Sequence, residues 1–273
     1  MADPTTNDGA SDRGRVVLIT GGSRGIGLAC AEWFLAQGDR VAITSRTGST
    51  EHDLGVGPER FLSLTCDVTL PEQVDDAFAT IESTWGPVEV LVANAGITRD
   101  TLVLRMTEDA WSEVIDTNLT AVFRVTKRAL TKMLRLHRGR VILISSVGAF
   151  VGSAGQANYA ASKAGLVGMA RSIAREVASR SITVNVVAPG LVETHMLAGL
   201  GEAKLAEFAA QVPLGRVARP DDACRAVHPC LRLRVRGLRG SRWRCAHGLQ
   251  NHVRSRRRRL QRSAARREGQ DSA

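Results

Sequence analysis

Short apolar runs alternate with longer amphipathic runs from residue 15 to about residue 190. The apolar runs are rich in Val and Ile, and each ends in or is directly followed by Gly, Asp or Ser: "RVVLIT" (15–20), "RVAITS" (40–45), "FLSLTC" (61–66), "VEVLVANAG" (88–96), "RVILISS" (140–146) and "ITVNVVAPG" (182–190). Continuously apolar strands are typical of a sheet that is covered on both faces. Helical runs such as "PEQVDDAFATIESTWG" lie between them. The alternation predicts an α/β fold with a doubly wound parallel sheet in a single domain.

The net charge is concentrated at one end of the chain. The formal charge is +10, but residues 224–273 alone contain fifteen Arg, no Lys and two acidic residues, which leaves −3 for residues 1–223. A nucleic-acid partner would therefore depend on the tail alone, and we expect none.

The N-terminal residues, the lengths of the apolar runs and the cysteine content all favour the cytoplasm. Residues 1–14 are polar and lack the apolar segment of a signal peptide, so we predict a disordered leader. No run approaches 18 apolar residues, so no membrane segment is predicted. Residues 1–223 contain only Cys30 and Cys66, with no metal-type spacing, which fits a reducing, cytoplasmic compartment and no metal site.

A glycine-rich loop follows the first predicted strand. "TGGSRGIG" contains Gly21, Gly25 and Gly27, which permit a tight strand-to-helix turn and let backbone N–H groups approach a pyrophosphate. An ordinary glycine-rich turn is the alternative for the loop alone. Its position in the first βαβ unit favours a dinucleotide site of the Rossmann type.

The end of the second strand indicates which dinucleotide binds. An NAD site favours an acidic residue there for the ribose 2′-hydroxyl, whereas this chain has Thr44, Ser45 and Arg46. Arg24 lies in the glycine loop, and two guanidinium groups suit a 2′-phosphate. Either arginine alone could simply be solvated, but together they predict NADP(H).

Four polar residues form a candidate catalytic set. Tyr159, the only tyrosine of the chain, and Lys163 are at i and i+4, on one face of a predicted helix. Ser146 ends the preceding strand, and Asn118 lies in the apolar segment "DTNLTAVF", where an amide requires a polar partner. A surface Tyr–Lys pair, a strand-end Ser and a helix Asn are each ordinary alone, and their combination in this order favours chemistry.

Ketone reduction uses these side chains coherently. Tyr159 would donate a proton to the alkoxide, and Ser146 would hydrogen-bond the substrate carbonyl. An ammonium about 5 Å away, at an effective dielectric constant of about 20, contributes about 3 kcal/mol. We therefore expect Lys163 to lower the pKa of Tyr159 by about two units.

Seven motifs in order resemble those of the short-chain dehydrogenases/reductases: "TGGSRGIG", "CDVT", "VANAGITRD", "NLTAVF", "ISSVG", "GQANYAASKAG" and "VNVVAPGLVET". Within that family the chain is most similar to 3-oxoacyl-[acyl-carrier-protein] reductases of the actinobacterial type, from about Arg15 to about Ala226. The resemblance implies an NADP-dependent reductase domain over residues 15–227. The reaction implied is reduction of a 3-oxoacyl thioester on acyl carrier protein during fatty-acid synthesis.

The resemblance also assigns roles to individual residues. It implies a catalytic tetrad of Asn118, Ser146, Tyr159 and Lys163, in which Lys163 also holds the nicotinamide ribose. The cofactor-binding residues that it implies, together with those of the glycine loop, are Gly21, Ser23, Arg24, Gly25, Ile26, Gly27, Arg46, Asp67, Val68, Asn94, Ala95, Gly96, Tyr159, Lys163, Pro189, Gly190, Val192 and Thr194. Asp67 and Val68 correspond to the adenine contacts, residues 94–96 to the adenosine ribose segment, and residues 189–194 to the nicotinamide loop.

Substrate and partners are less constrained. Residues 195–212 predict an apolar lid, so a polyketide, sugar or steroid ketone remains an alternative substrate, and an inactive cofactor-binding remnant remains an alternative function. Arg138 and Arg180 correspond to positions where such reductases present basic charge to the carrier protein. The family is expected to form homotetramers.

The chain departs from the family after residue 227. Related sequences continue with a phrase like "FLASDxASYxTG", a seventh strand and "DGG", whereas residues 228–250 read "HPCLRLRVRGLRGSRWRCAHGLQ". Permitted codons for residues 228–246 can spell "ILASDSASVVSGAVAGGA" in the next reading frame. We therefore interpret residues 228–273 as a frameshifted, disordered basic tail, with a genuine solvated tail as the alternative. We expect no strand there, an unpaired edge on "ITVNVVAPG", and impaired assembly of the tetramer.

Overall fold

A single parallel sheet runs through the computed structural model, which describes residues 14–194, 209, 212, 215–231 and 244–246. Within this part of the chain the strand order is β3-β2-β1-β4-β5-β6-β7. The strands are β1 (Val16–Thr20), β2 (Arg40–Ser45), β3 (Phe61–Thr65), β4 (Val90–Ala93), β5 (Gly139–Ile144), β6 (Ile182–Pro189) and β7 (Arg244–Ala246). All neighbouring strands pair in parallel.

Helices connect the strands and cover the sheet. They are α1 (Gly25–Ala36), α2 (Pro71–Trp85), α3 (Glu108–Ile115), α4 (Ala121–Leu136), α5 (Gly148–Val151), α6 (Ala157–Val177) and α7 (Pro220–Leu231). A π-helical turn, Asp116–Thr120, joins α3 to α4. Widened turns of this kind are frequent at functional sites, and this one carries Asn118.

Alternate side chains of each strand enter two separate cores. In β1, Val17 and Ile19 pack in the core that includes α1 and α7, whereas Val16 and Leu18 pack in the core that includes α2, α4 and α6. Both faces of the sheet are therefore covered, which is why the strands are apolar throughout their length. The predicted α/β fold with a doubly wound parallel sheet is confirmed.

The strand order reverses direction between β1 and β4. From β1 the chain adds β2 and β3 on one side, then crosses to β4, β5 and β6 on the other. In doubly wound sheets the crevice at this point, beyond the carboxyl ends of the strands, is where ligands bind. The residues that follow β1, β4, β5 and β6 therefore converge on one edge of the sheet.

The structure differs from the sequence expectation after residue 227. Helix α7 continues to Leu231, and Cys230 is 2% exposed in the same core as α1. Strand β7 pairs with Val187–Pro189 of β6. The expectations that the tail contains no strand and that β6 has an unpaired edge are therefore wrong at these three positions. Backbone N–H and C=O groups suffice for pairing along an open strand edge, so an unfavourable composition does not prevent it.

Several predicted segments lie outside the described residues. They are the leader apart from Gly14, almost all of the lid at 195–212, and most of the tail, so that the disorder and the frameshift stay predictions. Among the residues described, no helix combines the length and the apolar character needed to cross a bilayer.

Candidate active site

The turn from β1 into α1 leaves no room for a side chain at Gly21 or Gly27. Gly21 has a φ of 64°, and a Cβ on it would lie 2.9 Å from the Cα of Ala95. A Cβ on Gly27 would lie 2.3 Å from the carbonyl oxygen of Gly21. Residues with side chains rarely adopt such a φ. The two glycines therefore let the end of β4 lie directly against the turn.

Asn94 fixes the ends of β1 and β4 to each other. Its Nδ2 donates to the carbonyl oxygens of Thr20, at 3.1 Å, and Gly21, at 2.8 Å. The N–H groups of Asn94 and Ala95 donate to Thr20 Oγ1 at 3.1 and 3.2 Å. The segment predicted to lie under a ribose thus forms one rigid unit with the glycine turn.

A cavity of about 530 Å³ opens beyond these strand ends. The predicted cofactor residues that line it are Gly21, Ser23, Arg24, Gly25, Ile26, Arg46, Asp67, Val68, Asn94, Ala95, Gly96 and Thr194. Its other lining residues, which the sequence did not indicate, are Ser45, Cys66, Thr69, Ile97, Thr98, Arg99, Glu113 and Thr117.

Two arginines on the cavity wall carry positive charge without an acid at the end of β2. Arg24 and Arg46 are both exposed and both line the cavity. The nearest β2 residues, Thr44 and Ser45, are neutral. Guanidinium groups bind phosphate bidentately, so these two side chains are candidates for holding a phosphate group of a bound nucleotide.

The carboxylate of Asp67 is held within its own turn. Its Oδ1 accepts from the N–H and the hydroxyl of Thr69 at 2.9 and 2.7 Å, and its N–H donates to Gln73 Oε1 at 2.7 Å. The pKa of Asp67 is lowered, chiefly by the hydrogen bond from the Thr69 hydroxyl and also by the charge of Arg46. Asp67 therefore carries a fixed negative charge at neutral pH beside the predicted adenine position.

Tyr159 and Ser146 lie near each other at the carboxyl ends of the strands. Ser146 Oγ accepts from the Gly148 N–H at 3.1 Å. Burial raises the pKa of Tyr159, the nearby Ser146 hydroxyl opposes that effect, and the charge of Asp100 adds to it. The net direction is upward, so the expectation that Lys163 lowers this pKa by about two units is wrong for this structure.

The position of Lys163 explains the difference. Its Nζ donates to the carbonyl oxygen of Ile144 at 2.8 Å and lies 5.8 Å from the centroid of the Tyr159 ring. Lys163 is 3% exposed, and burial lowers its pKa to about 8. The ammonium is therefore directed at a backbone carbonyl, and desolvation of the phenol decides the pKa of Tyr159.

Asn118 has the polar partners that its apolar surroundings require. It is fully buried, its Oδ1 accepts from the Ile97 N–H at 2.8 Å, and its Nδ2 donates to the Ile97 carbonyl at 2.9 Å and to Ser162 Oγ at 3.2 Å. A Cβ on Gly96 would lie 3.1 Å from Asn118 Oδ1 and 3.3 Å from Lys163 Nζ. Gly96 is thus the point where these two side chains approach the cavity wall.

The predicted nicotinamide loop begins at the end of β6. The carbonyl of Pro189 accepts from the N–H of Val147 at 2.9 Å, which joins this loop to the segment after Ser146. Val192 is buried and bridges to Ala218. Thr194 then reaches the cavity, where its Cγ2 would be 3.2 Å from a Cβ on Gly25. Gly190 lies between the two anchored positions.

Three further polar residues of this region were missed by the sequence reasoning. Ser145 Oγ donates to the Lys163 carbonyl at 2.8 Å. Asn158 and Ser162 are fully buried on α6. The available signal was their spacing: they precede Tyr159 and Lys163 by one residue each, at i and i+4 on a face expected to be buried.

Arg138 and Arg180 lie away from the cavity. They precede β5 and β6, at the amino ends of these strands, whereas the cavity is at the carboxyl ends. Arg138 forms an ion pair with Glu89. Arg180 Nη1 lies 2.8 Å from His137 Nε2. The structure thus brings most of the predicted cofactor residues to one cavity, with Asn118 and Lys163 of the predicted tetrad behind its wall at Gly96. It leaves these two arginines at the opposite edge of the sheet.

Comparison with known proteins gives a consistent result. The family model described as short chain dehydrogenase matches residues 15–205. The chain is 46% identical over 219 residues to the 3-oxoacyl-[acyl-carrier-protein] reductase FabG of Salmonella typhimurium, covering 80% of this chain and 89% of that protein. It is 46% identical over 222 residues to the 3-oxoacyl-[acyl-carrier-protein] reductase MabA of Mycobacterium avium, covering 79% and 84%. With the doubly wound sheet, the glycine turn and the Tyr159–Lys163 pair in place, the chain belongs to the short-chain dehydrogenase family.

Proposed function

We propose that this protein is an oxidoreductase that uses NADPH to reduce a 3-oxoacyl thioester on acyl carrier protein to the 3-hydroxyacyl product in fatty-acid synthesis. The names of the two relatives support the substrate class. The observation that carries the proposal is the placement of the half-buried Tyr159 and Ser146 side chains beside the buried Lys163 at the carboxyl edge of the sheet.

The residues fit a bound NADPH, which would supply the hydride. The glycine turn offers backbone N–H groups to the pyrophosphate, since Gly21 and Gly27 exclude side chains there. Arg24 and Arg46 would hold the 2′-phosphate, and Asp67 would face the adenine. Thr194 would lie near the nicotinamide end, and Lys163 near its ribose.

Proton transfer is assigned to Tyr159. Its raised pKa keeps the phenol protonated at neutral pH, so the hydroxyl can donate a proton to the oxygen of the reduced carbonyl. Ser146 holds the same oxygen by a hydrogen bond. Lys163, with a pKa of about 8, is mostly charged at pH 7, so its ammonium is available to hold the ribose of the cofactor.

Asn118 has a supporting part in this scheme. Both polar atoms of its amide are bound to the backbone of Ile97 and to Ser162. The side chain therefore fixes the wall of the cavity between Gly96 and Thr98 next to the Tyr159 helix.

The acyl carrier protein is the proposed partner, with Arg138 and Arg180 as candidate contacts. Both arginines are exposed, but they lie at the amino ends of β5 and β6. β6 alone has eight residues, a length of about 25 Å. A carrier protein bound there would serve the active site of another subunit, which requires an oligomer, and the homotetramer expected for the family is the one that we propose.

A cytoplasmic location goes with the same proposal. Cys30, Cys66 and Cys224 are free thiols, which supports a reducing compartment.

The direct test is turnover by the purified protein. NADPH oxidation is followed at 340 nm with acetoacetyl-CoA and with an acetoacetyl-carrier-protein thioester, and NADH is the comparison cofactor. We expect thioester-dependent oxidation of NADPH, faster with the carrier protein. Reduction of a sugar or steroid ketone without any thioester reduction would replace the proposed substrate, and retained NADPH binding without any turnover would indicate a cofactor-binding remnant.

A further inference from the structure

Helix α6 carries two fully buried polar residues that the proposed chemistry does not use. Asn158 and Ser162 are both 0% exposed. They are four residues apart and therefore share one face of the helix. Tyr159 and Lys163 occupy the adjacent face. Each buried polar residue thus immediately precedes one of the two reactive residues.

Asn158 connects three separate segments of the chain. Its Nδ2 donates to the carbonyls of Arg99, at 3.2 Å, and Ala110, at 3.0 Å, and its Oδ1 accepts from the Tyr159 N–H at 2.8 Å. The segment after β4, helix α3 and the first turn of α6 are therefore joined through one side chain. Its donors and its acceptor are all used.

Ser162 forms the second connection on the same face. Its hydroxyl donates to the Tyr159 carbonyl at 2.8 Å and accepts from Asn118 Nδ2 at 3.2 Å. Asn118 in turn holds both backbone polar groups of Ile97. The cavity wall is thus connected to α6 at two points. Asn158 binds the carbonyl of Arg99 directly, and Ser162 binds Ile97 through Asn118.

An apolar side chain could fill either position, so packing alone does not explain why polar residues are present at both. Dispersion contacts tolerate small sliding and rotation, whereas hydrogen bonds have narrow limits of distance and angle. A rotation of α6 by about 10° would move a group about 8 Å from the helix axis by about 1.4 Å. Misplacement of a reacting group by about 1 Å can lower a rate about 100-fold.

We propose that Asn158, with Ser162 as its partner, is a positioning residue that sets the rotation of α6 against the cavity wall and so directs the Tyr159 hydroxyl. The inference rests on the proposed function, because it takes Tyr159 as the proton donor. Asn158 itself contacts backbone and no reacting group, and its effect on the reaction passes entirely through the placement of Tyr159.

The main experiment compares Asn158→Ala with Asn185→Ala. Asn185 is also buried, 6% exposed in the middle of β6, so the two variants lose the same side-chain atoms. We expect kcat to fall about 30-fold to 100-fold in Asn158→Ala, with the Kd for NADPH, measured by fluorescence titration, changed less than about threefold. The Asn185→Ala variant should keep kcat within about twofold. Equal losses of kcat in the two variants, or a loss of NADPH affinity as large as the loss of kcat, would overturn the proposal.

A second pair of variants covers the case in which Asn158→Ala does not fold. Ser162→Ala removes one hydroxyl, and we expect kcat to fall about threefold to tenfold through a partial loss of positioning. Ser172→Ala, on the exposed side of the same helix, should leave kcat unchanged. A Ser162→Ala enzyme with full kcat would contradict the proposal independently.

Hydrogen–deuterium exchange provides a readout without any substrate. In Asn158→Ala the amides of residues 97–101 and of the first turn of α6 should exchange at least about tenfold faster, while those of β6 stay protected. In Asn185→Ala these segments should be unchanged. Unaltered exchange in Asn158→Ala would reject the proposal even if the enzyme reduces a different ketone. Absence of thioester reduction by the unmodified protein would reject only the proposed function.

Discussion

The Nζ of Lys163 lies 5.8 Å from the centroid of the Tyr159 ring, with its hydrogen bond directed at the Ile144 carbonyl. The lysine is therefore a buried cation that donates a hydrogen bond to the backbone of β5. Its burial lowers its own pKa to about 8, and burial raises that of Tyr159. Four consequences of the structure can be measured.

Lys163 should make stability depend on pH. Lowering its pKa from 10.5 in the unfolded chain to about 8 costs the folded state about 3 kcal/mol at any pH below 8. Between pH 8 and 10.5 the unfolded chain binds more protons, so this cost disappears as the pH rises. In cofactor-free protein, Lys163→Met should be more stable than the unmodified protein at pH 7, and the difference should shrink towards pH 10. Urea unfolding at several pH values measures it, and a difference independent of pH would contradict the assignment.

Tyr159→Phe should abolish most turnover and leave cofactor binding intact. The ring still packs, and only the proton donor is lost, which costs about 100-fold to 10,000-fold in kcat. The Kd for NADPH should stay within about threefold. Lys163→Ala should impair both quantities, because Lys163 lies next to Tyr159 and, in our proposal, the ribose. Near-normal turnover by the phenylalanine variant would show that another group donates the proton.

Arg46→Asp should change the cofactor preference. The substitution places a carboxylate where the 2′-phosphate is proposed, beside Asp67, and should weaken NADPH binding at least about tenfold through lost attraction and new repulsion. NADH binding should be unchanged or improved.

Arg175→Asp is the matched control for this charge reversal, because Arg175 is exposed on α6 and is not among the residues that line the cavity. Its effect on both cofactors should be small. Equal affinity of the unmodified protein for NADPH and NADH, measured by fluorescence titration at fixed salt, would contradict the proposed role of Arg24 and Arg46.

Residues just after 227 should stabilise the fold despite their unusual composition. Cys230 is buried with α1, and the His228 ring lies 5.1 Å from the Trp33 ring. Truncation after Val227 removes these contacts and β7, which we expect to cost about 2 kcal/mol or more and to favour aggregation through the exposed edge of β6.

Truncation after Ala246 is the comparison, because it keeps both features. It should unfold at the temperature of the full chain in differential scanning fluorimetry. If the two truncated proteins were equally stable, the packing of Cys230 and the pairing of β7 would contribute nothing. A version with the family-type ending restored should exceed both in stability if residues 228–273 arose by frameshift.

Local sequence patterns determined much of the fold and of the site. Continuous apolar runs such as "RVVLIT" are sufficient to predict strands that are covered on both faces, because each face of β1 enters its own core. The glycines of the first turn follow from steric limits on the backbone. The i,i+4 spacing of Tyr159 and Lys163 puts them on one helix face in any fold. These features depend on residues close together in the chain.

Tertiary structure alone decided the electrostatics and the connections around the site. The hydrogen bonds of Asn158 span 48 and 59 residues of sequence, and the pairing of β6 with residues 244–246 spans a similar distance. The ion pair of Arg138 with Glu89 depends on which elements lie side by side, and the direction of the Tyr159 pKa depends on how far packing desolvates the phenol. Spacing in sequence fixes which side chains share an element, whereas burial and long-range hydrogen bonds depend on how the elements pack, and only the packed structure determines those.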